Sequence, residues 1–116
     1  MINIMAIPAS LQTSEGVLLR WQDALVSWVK GDNPDLTNRQ MAVLLIVSLD
    51  ESQHTIRGLA SRLGIAKPAV TRAIDRLSEL DYVARVADKR DRRNVFVVPT
   101  SAGRSFLVAF VRNLEA

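Results

Sequence analysis

Twelve of the fifteen lysine and arginine side chains in this 116-residue chain lie after residue 50, most of them in two clusters. Lys67, Arg72 and Arg76 fall within ten residues, with Thr71 and Asp75 among them. Arg85, Lys89, Arg90, Arg92 and Arg93 crowd a stretch that offers only Asp88 and Asp91 in return. Cations gathered in this way can hold a polyanion: the arginine fork meets two acceptors at once, and lysine supplies a mobile point charge. Little other chemistry is available. There is no cysteine, which removes disulfides, thiolate nucleophiles and thiol redox sensing. His54 is the sole histidine, and no metal-spaced cluster, phosphate-cradling glycine loop or nucleophile elbow accompanies it. Enzyme activity is not expected, and no cofactor is called for.

The charge is unevenly placed. Residues 1–50 carry Arg20, Lys30 and Arg39 against Glu15, Asp23, Asp32, Asp35 and Asp50, whereas residues 51–116 hold twelve basic and seven acidic side chains. The halves thus carry −2 and +5 within an overall +3, a footprint expected of a polyanion-binding face. With 48% hydrophobic and 23% charged residues the chain is expected to fold around one core. Its longest apolar run, Met41 to Val47, is too short to span a bilayer. The first ten residues lack a basic n-region and a cleavage site, so no signal peptide is read. A cytoplasmic, nucleoid-associated protein is the expectation.

These side chains need elements to position them. Residues 1–12 read as a flexible lead. A helix follows from Thr13 to Lys30, with Leu18, Trp21, Leu25 and Trp28 on one stripe, stopped by Gly31-Asp32-Asn33-Pro34. Thr37 and Gln40 form a capping box that opens a second, largely apolar helix. His54-Thr55-Ile56 reads as a very short strand. Two short helices, Arg57 to Leu63 and Pro68 to Leu80, flank Gly64-Ile65-Ala66. The period then changes to that of a hairpin, Tyr82–Val86 and Val95–Val98, around the charged stretch from Asp88 to Asn94. Thr100 caps a last helix lined by Phe106, Leu107, Phe110, Val111 and Leu114. The expected class is mainly α with a small β-hairpin (α+β), in the order α-α-β-α-α-β-β-α.

Ile56 to Asp75 fits a helix-turn-helix. Ala60 is the small residue at the crossing, Gly64 makes the turn, and Leu59, Leu63, Ile65, Val70 and Ala73 face inward. The second of the two helices would lie in the major groove of double-stranded DNA. Its outward residues are Lys67, Thr71, Arg72, Asp75 and Arg76, and Pro68 suits its first turn. Arg72 is the residue expected to read a guanine through O6 and N7, and Thr71 to meet a thymine methyl or a phosphate. Lys67 and Arg76 are placed for phosphates. A solvated helix face accounts for any one of these charges, but less well for the set. The arginine-tipped hairpin is a wing able to reach a narrow minor groove. Charge that merely protects a sheet edge would need fewer cations.

Together these features resemble the MarR family of bacterial transcriptional regulators, from about Leu36 to Gly103. The pieces that carry the likeness are Leu-Thr-Asn-Arg-Gln (36–40), Leu-Ala-Ser-Arg-Leu-Gly-Ile (59–65) and Ala-Val-Thr-Arg-Ala-Ile-Asp-Arg-Leu (69–77). Asp-Lys-Arg-Asp-Arg-Arg (88–93) and Thr-Ser-Ala-Gly (100–103) complete it. The family's Asp-x-Arg wing motif falls on Asp91 and Arg93. The resemblance implies that Arg93 inserts into the minor groove, that Asp91 holds it, and that Arg90 and Arg92, beside Lys89, neutralise phosphates. It also implies a homodimer on an inverted repeat, whose first and last helices interleave, and often a small aromatic or phenolic effector. No residue here identifies an effector pocket.

The expected organisation is one winged helix domain over residues 1–116, with its DNA-binding core at 36–100. The helices at 13–35 and 101–116 would form the dimer interface through Leu18, Trp21, Leu25, Trp28, Phe106 and Phe110. The same side chains would also serve to close the chain's own core, and spacing does not separate the two readings. Compared with the family pattern, the last helix is short at Ala116, and Pro99 replaces a leucine and is expected to end the last strand early. The rival function is a winged-helix protein-interaction module, or an antagonist of a full-length regulator.

Overall fold

A computed structural model describes the backbone of residues 9–115 and the side chains of residues 14–114. The helices and strands run α1 Ala9–Lys30, α2 Asn38–Leu49, β1 His54–Thr55, α3 Ile56–Leu63, α4 Lys67–Glu79, β2 Val83–Ala87, β3 Val95–Pro99 and α5 Ser101–Glu115. This is the expected order, and the fold is a winged helix. One boundary moves by a full turn. The lead was expected to reach residue 12, yet α1 begins at Ala9. Residues 9–12 contain no glycine or proline, and alanine, leucine and glutamine there are good helix formers. The remainder of the expected lead lies outside the described residues.

The chain divides into two units, one of residues 36–107 and one of residues up to Asp35 together with residues from Val108. In the larger unit, local chemistry sets several of the helix ends. Thr37 Oγ1 accepts from the Gln40 backbone N–H at 3.1 Å while the Gln40 side chain accepts from the Thr37 N–H at 2.9 Å. Thr55 caps α3 by accepting from Gly58 N at 3.0 Å. Gly64 ends α3 in the left-handed region at φ 66°, which an L side chain adopts only with strain.

The core of this unit lies between α2, α3, α4 and the sheet. Val43 and Leu44 of α2, Leu59 of α3, Val70, Ile74 and Leu77 of α4, and Val83 and Val97 of the sheet are all buried. Each of the larger side chains contributes about 1.5–3 kcal/mol by leaving water. The three-stranded antiparallel sheet has the order β1-β3-β2. Pro99 was expected to cut β3 short, but it is the strand's final residue, opposite Val83. Its missing N–H falls at the end of the ladder, where at most one bond is forgone.

The junction into α5 is tightly built. Asp81 adopts φ 63°, and its carbonyl accepts from Thr100 Oγ1 at 2.6 Å. Thr100 Oγ1 in turn accepts from Gly103 N at 3.0 Å, capping α5 as expected. A Cβ on Gly103 would lie 2.2 Å from the Tyr82 carbonyl oxygen, so only glycine fits there.

In the smaller unit, Ala24 is buried and Phe110 packs against both tryptophans, 5.8 Å from Trp21 and 5.4 Å from Trp28 between ring centroids. Asn33 Nδ2 donates to the Trp28 carbonyl at 2.8 Å, closing the end of α1. Many large apolar side chains of α1 nevertheless face outward. Leu18 is 63% exposed and Val29 72%, and Val17, Leu19, Leu25 and Val26 are also exposed. Among the described residues, no helix is long and apolar enough to cross a membrane.

Candidate nucleic-acid interface

Burial of Val70, Ala73, Ile74 and Leu77 settles which face of α4 points outward. Lys67, Pro68, Arg72 and Asp75 are exposed on the other face, and Thr71 and Arg76 are half-buried. Pro68 sits in the first turn, and Ala66, the N-cap, offers no side-chain hydrogen bond. Pro68 has no N–H and Ala69 N donates to the Ala66 carbonyl at 3.0 Å, so the first turn offers a single open N–H among the described residues, that of Lys67.

The outward charges of α4 are not equivalent. The Asp75 carboxylate pairs with the Arg85 guanidinium on β2, which also donates to Ser78 Oγ at 3.4 Å. Asp75 thus links the helix to the hairpin. Arg76 lies 3.6 Å from Glu79, a solvent-screened pair that constrains it little. Lys67 and Arg72 make no ion pair among the described residues.

The hairpin tip is shaped by its two aspartates. Asp88 Oδ1 accepts from Arg90 N at 2.9 Å, and Asp91 Oδ1 accepts from Arg93 N at 3.1 Å. The backbone closes the turn through Asp88 N to the Asn94 carbonyl at 3.1 Å and Asn94 N to the Asp91 carbonyl at 2.9 Å. Arg93 Nε also lies 3.3 Å from Asp91 Oδ1. The Arg93 side chain is otherwise 93% exposed. Lys89, Arg90 and Arg92 are exposed and make no ion pair among the described residues.

Two clefts border α4. One, of about 440 Å³, brings Arg72 together with the N-terminal turn of α2, including Thr37 and Arg39. The other, of about 320 Å³, is lined by Thr55, Ile56, Arg57, Lys67, Arg93, Asn94 and Val95. Sequence reasoning passed over Arg57 and Arg39 because neither belongs to the recognition helix or to the wing. The Thr55 cap was the available signal for Arg57, since it places that residue at the start of α3. His54 has a structural position: its Nε2 donates to the Asp50 carbonyl at 2.8 Å.

The residues expected at a dimer interface separate into two groups. Leu18, Trp21 and Leu25 are exposed on α1, whereas Phe110 is buried against Trp21 and Trp28. Phe106 lies in the winged unit, buried, with its ring 4.6 Å from that of Tyr82. It serves the chain's own core.

The arrangement matches known proteins along most of its length. The sequence profile of the MarR family matches residues 35–94, more than half of the chain. An HTH-type transcriptional regulator of Bacillus subtilis, YcgE, is 38% identical over 57 residues, which span 49% of this chain and 37% of that protein. The chain thus matches little more than a third of that relative. The transcriptional regulator Tm0710 of Thermotoga maritima superposes with a TM-score of 0.69 at 25% identity, covering 90% of this chain and 68% of that one. RV1404 of Mycobacterium tuberculosis gives a TM-score of 0.73 over 92% of this chain and 70% of its own, at 20% identity, a likeness of fold alone. The heme sensor PefR of Streptococcus agalactiae, solved with heme, likewise shares the fold at 20% identity and a TM-score of 0.67, over 94% of this chain and 76% of its own. The helix-turn-helix, the Asp-x-Arg hairpin and these matches agree, and the chain belongs to the MarR family, with the fold of its transcriptional regulators.

Proposed function

We propose that this chain is a sequence-specific regulator that binds double-stranded DNA as a homodimer. The observation that carries the reading is the pairing of two differently built cationic elements on one winged helix. α4 has its inner face wholly buried and keeps Lys67 and Arg72 without ion pairs among the described residues. Beside it stands a hairpin tip bearing Lys89, Arg90, Arg92 and Arg93. In this reading α4 enters the major groove, and Arg72 reads a guanine edge through its bidentate fork. Thr71 meets a thymine methyl or a phosphate, and Lys67, through its side chain and its backbone N–H, and Arg76 face phosphates. Asp75, outward on the same face, links the helix to the hairpin through Arg85. Arg93, steadied by Asp91, enters the minor groove, while Lys89, Arg90 and Arg92 neutralise the flanking phosphates.

The second copy is supported by α1. Its exposed Leu18, Leu25, Val26 and Val29, with Val108 and Val111 on α5, make more apolar surface than isolated surface residues account for. Two copies related by a two-fold axis would favour an inverted repeat, with half-sites roughly 10 base pairs apart. The cytoplasm, at the nucleoid, is the corresponding location.

The test is the salt dependence of binding to a labelled duplex. A protein neutralising 6–10 phosphates loses about 10³–10⁵-fold in affinity between 50 and 200 mM salt. Steep loss of that order supports the proposal. Absence of duplex binding, with capture of a protein partner that is insensitive to salt, would replace it with the interaction-module reading.

A further inference from the structure

We propose that the cleft between α3, α4 and the wing is a seat for one backbone phosphodiester, held by Arg57 and Lys67. The inference rests on the DNA reading above and extends it to a residue outside both the recognition helix and the wing. Three cations, Arg57, Lys67 and Arg93, line this cleft of about 320 Å³, and no carboxylate is among the lining residues. Arg93 is partly neutralised by Asp91, but Arg57 and Lys67 are exposed and make no ion pair among the described residues. Like charges brought together on three separate elements repel one another, and a bound anion relieves that repulsion.

The groove geometry of DNA says which anion. A major groove and the adjacent minor groove are separated by one sugar-phosphate strand. A protein with a helix in the first and a hairpin in the second must let that strand cross between the two. Here the crossing falls between Lys67, the first residue of α4, and residues 93–95 of the wing, which is where the cleft lies. Arg57 is the second residue of α3, held at that rim by the Thr55 cap. A guanidinium fork on one side and an ammonium on the other suit the paired non-bridging oxygens of a phosphodiester. Arg93 forms the far wall, where the strand passes towards the minor groove.

The experiment uses the full chain and a duplex that the wild-type protein binds. Arg57→Gln and Lys67→Gln are each expected to weaken binding about tenfold, the scale of a charge-assisted hydrogen bond. The double variant should lower the magnitude of the salt slope by about 0.9 per half-site, equivalent to one phosphate. Neutral methylphosphonates are then placed one at a time along the strand between helix and wing. At one position per half-site, wild type and double variant should bind equally. Thermal unfolding of the variants, both at exposed residues, is measured alongside. Wild-type binding with fully additive losses, and no position at which the difference vanishes, would overturn the shared seat while leaving the DNA reading intact. Failure of the wild type to bind any duplex would overturn the reading beneath it and the seat with it.

Discussion

The recognition helix and the wing carry similar charge but are built on opposite principles. α4 is held from behind, by Val70, Ala73, Ile74 and Leu77 in the core, and from the side by the Asp75–Arg85 pair. Its outward side chains ride on a scaffold whose position is set by burial. The wing tip has no such backing. Its shape comes from short hydrogen bonds within residues 88–94, chiefly those to Asp88 Oδ1 and Asp91 Oδ1, and its side chains stand in solvent. Burial is worth several kcal/mol and is not screened by salt as charges are, whereas exposed polar bonds are worth about 1 kcal/mol each. In the proposed complex the helix is therefore suited to reading fixed positions, and the wing to adjusting to a groove.

The comparison breaks most sharply in the core. Ile74→Ala empties a fully buried position behind the reading face and should cost about 2–5 kcal/mol in urea unfolding. Its effect on binding should track the fraction unfolded. Arg72→Ala, on the exposed face, should leave unfolding unchanged. It should cost about 1–3 kcal/mol of binding and relax preference at one base per half-site. Unchanged specificity in that variant would remove Arg72 from the reading set.

At the wing, Asp91→Ala removes the acceptor for both Arg93 N and Arg93 Nε. It should lower affinity for sites with A·T-rich flanks by about 1 kcal/mol and leave unfolding within about 0.5 kcal/mol. Arg93→Ala should act in the same way, and the double variant should add little. Equal loss on G·C-rich flanks would make Arg93 a plain phosphate contact. The smallest effect lies away from both regions, at the end of α2. The backbone N–H of Ser52 and then its hydroxyl, donating to Asp50 Oδ1 at 3.0 and 2.8 Å, hold that carboxyl below the usual carboxylate range, and Arg62 adds to this. Because its pKa is lowered in the folded state, Asp50 stabilises the fold above the ordinary carboxylate value. That contribution is lost as pH falls through the lowered value. Ser52→Ala should raise the titration midpoint of Asp50 in carbon NMR and leave DNA binding unaltered.

Features written in neighbouring residues were legible before the structure. The Thr37–Gln40 box, the left-handed Gly64, the hairpin, the Thr100 cap and the order of elements all follow from spacings of a few positions. The outward face of α4 followed from its period. What escaped notice depends on residues distant in sequence. Asp75 and Arg85 are ten positions apart on different elements, so the helical period gave Asp75 as an outward acid but not its pairing with the hairpin. Phe106 shares a stripe with Phe110, yet its ring meets Tyr82. Arg57 acquires meaning only where α3, α4 and the wing converge. Asp81 adopts a left-handed backbone where α4 ends, with Tyr82 N donating to the Leu77 carbonyl and Asp81 N to the Ser78 carbonyl; aspartate here takes the place that glycine usually fills.

The central claim is sequence-specific recognition by a symmetric pair of these helices. Its most direct test is selection of bound duplexes from a random library at about 0.15 M salt, where weak exposed contacts are screened. The account predicts enrichment of an inverted repeat with half-sites about one helical turn apart, and loss of one base preference per half-site with Arg72→Ala. A bound pool with no shared motif would contradict it, leaving the cations of α4 and the wing as general anion contacts.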